Sequence, residues 1–199
     1  MERYKDVNIE NTKKLLKNIT PKRYNQLIKN RYSLILNMIE PYANKKQAVL
    51  DVGTRDGALL DYLKENGFDD LHCIDICLES IKIATSKGYD AWIMDAQNMT
   101  YDREFGTIIM SHVLEHCPDI NRVINGAYRG LKKNGILFVE VPRQDPQKVP
   151  NKDAHYHFFP SLKNLIDTFK KDGRWEILDS FKNKENTRLK IVLRKKNGE

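Results

Sequence analysis

Apolar positions change their spacing near residue 44, and the change divides the chain in two. Before it, Leu15, Leu16 and Ile19, then Leu27, Ile28, Leu34, Ile35 and Met38, recur at helical spacing. Pro21 after Thr20 predicts a helix start capped by Thr20, and Pro41 ends the stretch. Beyond it, short apolar runs alternate with amphipathic segments. Strands are predicted at 47–52, 71–76, 89–94, 105–110 and 136–141. Helices lie between them, on Ala58, Leu59, Leu60 and Leu63, on Ile81, Ile83 and Ala84, and on Ile120, Val123, Ile124, Ala127 and Leu131. The string Lys132-Lys-Asn-Gly135 reads as a helix stop, with cations on the C-terminal dipole and glycine in the cap. After a polar loop from Pro142 to Pro160 come a helix on Leu162, Leu165, Ile166 and Phe169 and two strands, 175–181 and 188–193.

Continuous apolar strands alternating with helices predict a mostly parallel sheet covered on both faces. Two final strands without an intervening helix predict an antiparallel hairpin at one edge. The expected fold is therefore α/β, a three-layer Rossmann-like sandwich with a seven-stranded sheet and N-terminal helices. It forms one domain over 1–199, with a helical cap at 1–44 and a core at 47–199.

At 199 residues, 40% hydrophobic and 31% charged, the chain is long enough for one well-buried core. Its apolar runs are too short to cross a bilayer, so no membrane partner is expected. The start Met1-Glu-Arg-Tyr-Lys-Asp lacks the apolar centre of a secretory signal, which points to the cytoplasm. Cys73, Cys77 and Cys117 form no CxxC pair and read as reduced, partly buried thiols. A formal charge of +7 admits nucleic acid as a partner. The basic residues are spread over both ends, however, with no interleaved aromatic residues, as on a solvated surface.

In such a sheet, chemistry belongs at the carboxyl ends of the strands. The first strand ends Asp51-Val-Gly53-Thr-Arg55-Asp-Gly57. Gly53 permits close backbone approach, and Gly57 opens a helix whose N–H groups suit an anionic group. The second strand ends at Asp75 and Ile76, with Asp75 placed 24 residues after Asp51 to accept from both hydroxyls of a ribose. Asp95-Ala96 follows the third strand and suits an adenine amino group and ring nitrogen. Each acid also has a purely structural reading, as a helix cap or turn residue.

Taken together, these residues resemble the class I methyltransferase family. The resemblance implies S-adenosylmethionine as cofactor, held by Asp51, Gly53, Arg55, Gly57, Asp75, Ile76, Asp95, Ala96 and Ser111. It covers the chain from about Val49 onward, and Gly135, Pro142 and His155-Tyr-His-Phe-Phe-Pro160 resemble the small-molecule branch. Arg55 departs from the pattern, standing where the family has its middle glycine; it could pair with the methionine carboxylate or lie on the surface. A nicotinamide site would need glycines at positions 55 and 58, where Arg55 and Ala58 stand.

The fourth strand leads into Ser111-His-Val-Leu-Glu-His116. An H-x-x-E-H string suggests a zinc peptidase only inside a helix, and here it follows a strand. In the methyltransferase reading, His112 borders the transferred methyl and is the candidate general base, since imidazole titrates near neutral pH. It could equally shape the pocket through a backbone hydrogen bond. His112, Glu115 and His116, with His155 or His157, also resemble the metal site of ubiquinone-pathway and small-RNA 2′-O-methyltransferases. A divalent metal would acidify a substrate hydroxyl there. The metal-free reading is preferred, because histidine in place of the first acid favours softer metals. The expected activity is methyl transfer to an oxygen or nitrogen of a small molecule. The alternatives are metal-assisted RNA 2′-O-methylation and a non-catalytic cofactor-binding or partner-binding relative.

Overall fold

The computed structural model describes residues 2–17, 21–145, 147, 155–171, 173–183 and 187–196, and the side chains of 2–4, 15–17 and 21–29 are left aside. The expected Thr20 cap and most of the apolar positions before Leu34 lie outside those limits, as does most of the loop between Pro142 and Pro160. Two helices, α1 (Glu2–Lys17) and α2 (Pro21–Ile39), precede the sheet. The rest runs β1 (Val49–Val52), α3 (Ala58–Glu65), β2 (Leu71–Asp75), α4 (Leu78–Ser86), β3 (Asp90–Ile93), β4 (Phe105–Ser111), α5 (Ile120–Gly130), β5 (Leu131–Pro142), α6 (Leu162–Lys170), β6 (Trp175–Lys182) and β7 (Arg188–Lys195).

The strands order as β3-β2-β1-β4-β5-β7-β6. Strands β1 to β5 are parallel, and β7 pairs antiparallel with both β5 and β6. The expected edge hairpin is therefore present, with β7 as its inner strand. Alternate residues feed two cores. Leu50, Val52, Ile108, Met110, Leu137 and Val139 meet Val123, Ile124 and Ala127 of α5 and Leu165 and Phe169 of α6. Val49, Cys73, Ile109, Ile136 and Phe138 meet Ile35, Leu36 and Ile39 of α2 and Leu59, Leu60 and Leu63 of α3. Period-two alternation thus builds a three-layer sandwich. All three cysteines are buried and unbridged. No described helix is long and apolar enough to cross a membrane.

The helix stop at Lys132–Gly135 is corrected. Helix α5 ends at Gly130, and Leu131, fully buried, pairs at once with Phe105 in the sheet. Gly130 sits where an added Cβ would come within 3.2 Å of the Tyr101 Cβ, so the helix end docks tightly. The left-handed turn expected of glycine falls instead on Asn134, at φ 60°. Asparagine tolerates that conformation better than most residues. Capping elsewhere follows side-chain chemistry: Asp119 accepts from the N–H groups of Asn121 and Arg122, and Ser161 from Asn164.

Candidate active site

Strand order reverses between β1 and β4, which places a crevice at the carboxyl ends of the parallel strands. A cavity of about 450 Å³ opens there, within the range of small-ligand sites. Its floor is β1, β2, β4 and the loops after them. Asn8, Asn11 and Thr12 of α1 and Arg31 and Tyr32 of α2 form a roof, as expected of the N-terminal helices. Of the residues anticipated from the sequence, Asp51, Gly53, Arg55, Asp75, Ile76, Ala96, Ser111 and His112 all line it.

The loop after β1 is wound by backbone geometry. Gly53, Arg55 and Gly57 all adopt left-handed φ, at 75°, 58° and 70°. An added Cβ on Gly53 would lie 2.9 Å from the Val113 Cγ2 atom. Gly53→Ala is therefore expected to lower stability by about 1–3 kcal/mol in urea denaturation, through the left-handed penalty and that contact. Arg55 pays a similar backbone cost, and its N–H donates to the Asp75 carboxylate at 2.9 Å. The other Asp75 oxygen accepts from the Cys77 N–H at 2.8 Å. One carboxylate thus ties the first loop to the second. Burial raises its pKa against those hydrogen bonds.

Two anticipated residues stand apart from the cavity wall. Gly57 faces Tyr89 and Ala84 and serves the turn into α3. Asp95 accepts from the Gln97 N–H at 2.9 Å, capping a short 3₁₀ turn, and lies 3.5 Å from the Lys5 ammonium. Its structural reading is realised, while Ala96 beside it reaches the cavity. Asp51 is buried, and burial, reinforced by the Asp75 charge, pushes its carboxyl up to about 7 against the pull of Arg31 and Arg55.

At the β4 end, His112 holds a left-handed backbone at φ 59°, and its N–H donates to the Glu140 carbonyl at 2.8 Å. Its Nδ1 lies 3.0 Å from Glu115 Oε1. A carboxylate only accepts, so Nδ1 carries the proton and Nε2 is left as the base. Nε2 is buried without a hydrogen-bond partner, 3.9 Å from Glu140 Oε1. The string 112–116 turns through a 3₁₀ segment, Leu114–His116, which removes the helix a zinc peptidase would need.

Glu140, Arg31, Arg188 and Lys190 were not anticipated. Glu140 is fully buried; the Ser111 hydroxyl donates to it at 2.7 Å and in turn accepts from Arg31 Nη2 at 2.7 Å. Burial alone would raise its pKa, but Arg31, Lys190, the Ser111 hydroxyl and, when protonated, His112 hold it below the usual range. Lys190, at 1% exposure, sits directly across from it in the β5–β7 register. A lone Glu inside 136–141 and a lone Lys inside 189–193 were the available signals.

Glu115, His116 and His155 place one donor atom each within 4.8 Å of one another, close enough for a cation. His112 is outside that trio, and His157 is turned to the Pro118 carbonyl at 3.1 Å.

A family model described as a methyltransferase domain matches residues 23–173. The chain belongs to the class I, S-adenosylmethionine-dependent methyltransferase family. The chain is 27% identical over 111 residues to a ribosomal protein L11 methyltransferase of Macrococcus caseolyticus; the match covers 53% of this chain but about a third (35%) of that one. Its fold is that of the N-methyltransferase NodS from Bradyrhizobium japonicum WM9, solved with S-adenosyl-L-homocysteine (TM-score 0.73, 15% identity, 95% and 98% of the two chains). It is similarly close to the PH0226 protein of Pyrococcus horikoshii OT3 (0.70, 16%, 90% and 94%). The [4+2]-cyclase SpnF shares the fold as well (0.72, 16%, 85% and 81%). Such a range means that the acceptor must be argued from the site itself.

Proposed function

We propose that this methyltransferase moves the methyl group of S-adenosylmethionine to an oxygen or nitrogen nucleophile of a small molecule. The observation that carries the reading is the roofed cavity, with Asp75 and the Gly53 loop at one end and the orphaned His112 Nε2 at the other. The cofactor fits there because the Gly53 loop and the acidic residue Asp75 both line the cavity, giving a close backbone approach and an acceptor. Asp51, Gly53, Arg55, Asp75 and Ile76 would hold its methionine and ribose parts, and Ala96 its adenine. When bound, S-adenosylmethionine supplies a methyl on an activated sulfonium, so the protein contributes mainly proximity and alignment. His112 Nε2 takes the acceptor's proton as the nucleophile's electron pair bonds to carbon.

A screen of cofactor consumption across small hydroxylated and aminated compounds, short RNA and protein tests this. Turnover of small acceptors without added metal is expected; methylation of RNA or protein alone would overturn it. Glu115, His116 and His155 support a second reading, metal-assisted transfer. In the same screen, activity that is lost on chelation and restored by a divalent cation would favour it.

The Asp51 carboxyl near 7 gives a pH signature. In the folded protein its raised pKa favours the protonated form, so its contribution to stability is full at low pH and fades as pH rises through about 7. A cationic ligand lowers that pKa and expels the proton. Cofactor affinity measured by calorimetry should therefore rise up to roughly tenfold between about pH 6 and pH 8, with proton release near neutrality.

A further inference from the structure

We propose that the methyl acceptor carries an oxyanion, a carboxylate or phosphate, held by Arg31 and Arg188 at the Ser111–His112 end of the cavity. This rests on the methyl-transfer reading above. Arg31 reaches the cavity from α2 and Arg188 from the start of β7, so the two guanidinium groups approach from different elements. Arg31 Nε lies 3.4 Å from Glu140 Oε2, while Arg188 Nε and Lys190 Nζ each lie 3.9 Å from Oε1. Three cations thus surround one buried carboxylate, a net of two positive charges, and two of the three, Arg31 and Arg188, line the cavity. One cation would neutralise Glu140; Arg31 and Arg188, 25% and 42% exposed, carry the surplus at the cavity wall.

The hydrogen-bond geometry points the same way. Glu140 Oε1 has no hydrogen-bond partner, although cations stand near it. Arg31 Nε is buried and likewise donates to nothing. Among the described residues, the Arg188 guanidinium donates no hydrogen bond. The cations are gathered, but their donors are not used up on Glu140. A planar fork of unused N–H donors is what binds carboxylate or phosphate in two-pronged fashion.

Other acids near the site do not take up the free guanidinium donors. Asp51 faces Arg31 but is held near half-protonated at neutral pH by its burial. Glu115 is engaged by His112 Nδ1, and Asp75 by the backbone of Arg55 and Cys77. The anchored oxyanion would sit beside the proposed base, which fixes the nucleophile's distance from His112.

The test is calorimetric titration of the protein loaded with S-adenosylhomocysteine, using benzoate, its neutral counterpart benzamide, and inorganic phosphate. Benzoate or phosphate should bind, weaken with added salt, and tell a carboxylate from a phosphate acceptor. Arg188→Gln should weaken that binding by about tenfold or more, while S-adenosylhomocysteine affinity stays within about twofold. Arg188 is partly exposed at a strand start, and the charge-keeping Arg31→Lys variant provides a second, milder loss. Equal binding of benzamide and benzoate, or binding unchanged in both variants, would overturn the proposal. So would tight S-adenosylhomocysteine binding with neither anion bound, and this leaves the methyl-transfer reading standing. Failure to bind S-adenosylhomocysteine at all would remove both.

Discussion

Replacing Asp75 by alanine is expected to weaken S-adenosylhomocysteine binding by more than about 100-fold, measured by calorimetry. Two losses combine. Asp75 lines the cavity, where under the proposed function it would accept from the ribose, and hydrogen bonds to a charged acceptor contribute about 1.5–3 kcal/mol each. It also holds the Arg55 N–H and the Cys77 N–H, so the loops after β1 and β2 lose their shared tie. Thermal unfolding should shift far less than binding, because a buried carboxylate with a raised pKa is itself costly to keep charged. Asp75→Asn separates the two roles. Its amide oxygen can keep one backbone N–H, restoring loop order, yet it offers a donor where a hydroxyl also donates. If the asparagine variant binds S-adenosylhomocysteine as well as the original, Asp75 only organises the loops and contacts no ribose.

How much of this could be read before the structure depended on the range of each interaction. The parallel sheet was legible because 49–52, 105–111 and 136–141 are predominantly apolar runs, which a doubly covered sheet buries. Asp51, Asp75 and His112 were legible for the same reason, as polar residues where such runs end. The cationic group around Glu140 was not. Arg31 reaches Ser111 across 80 residues, and Lys190 meets Glu140 only through the register of β5 on β7. Strand pairing of that kind leaves no local trace beyond a stray charge in an apolar run. Asp95 and Gly57 illustrate the opposite limit. Their types fit a cofactor motif, but residues of these types also serve a 3₁₀ cap and a left-handed turn, roles that only the folded backbone reveals. The same holds at Lys132–Gly135, where tertiary burial of Leu131 outweighed good helix-ending chemistry.

Arg55 shows how a departure from pattern is tolerated. Its φ of 58° falls where glycine would be unstrained, and the cost is offset by the N–H bond to Asp75. The loop keeps its shape without the residue type that usually permits it.

His112→Ala is expected to lower kcat by about 10²–10⁴-fold while changing S-adenosylhomocysteine affinity by less than about threefold. The split follows from position. His112 lies at the β4 end of the cavity, whereas the loops proposed to hold the cofactor hang from β1 and β2. Glu115 fixes Nδ1 as the protonated nitrogen, so the loss is specifically that of a basic Nε2 aimed into a buried space. A purely structural role predicts something else. The residue holds a left-handed backbone, and alanine there costs roughly 1–2 kcal/mol, which could disturb Ser111 and the Val113 contact over Gly53. Asparagine resolves the matter, since it tolerates positive φ and can hydrogen-bond Glu115 but is not basic. His112→Asn should fold and bind S-adenosylhomocysteine normally and remain as slow as the alanine variant. Recovery of turnover with asparagine would show that His112 shapes the pocket rather than taking the proton. Loss of cofactor binding in both variants, with kcat little changed, would place it on the cofactor side instead.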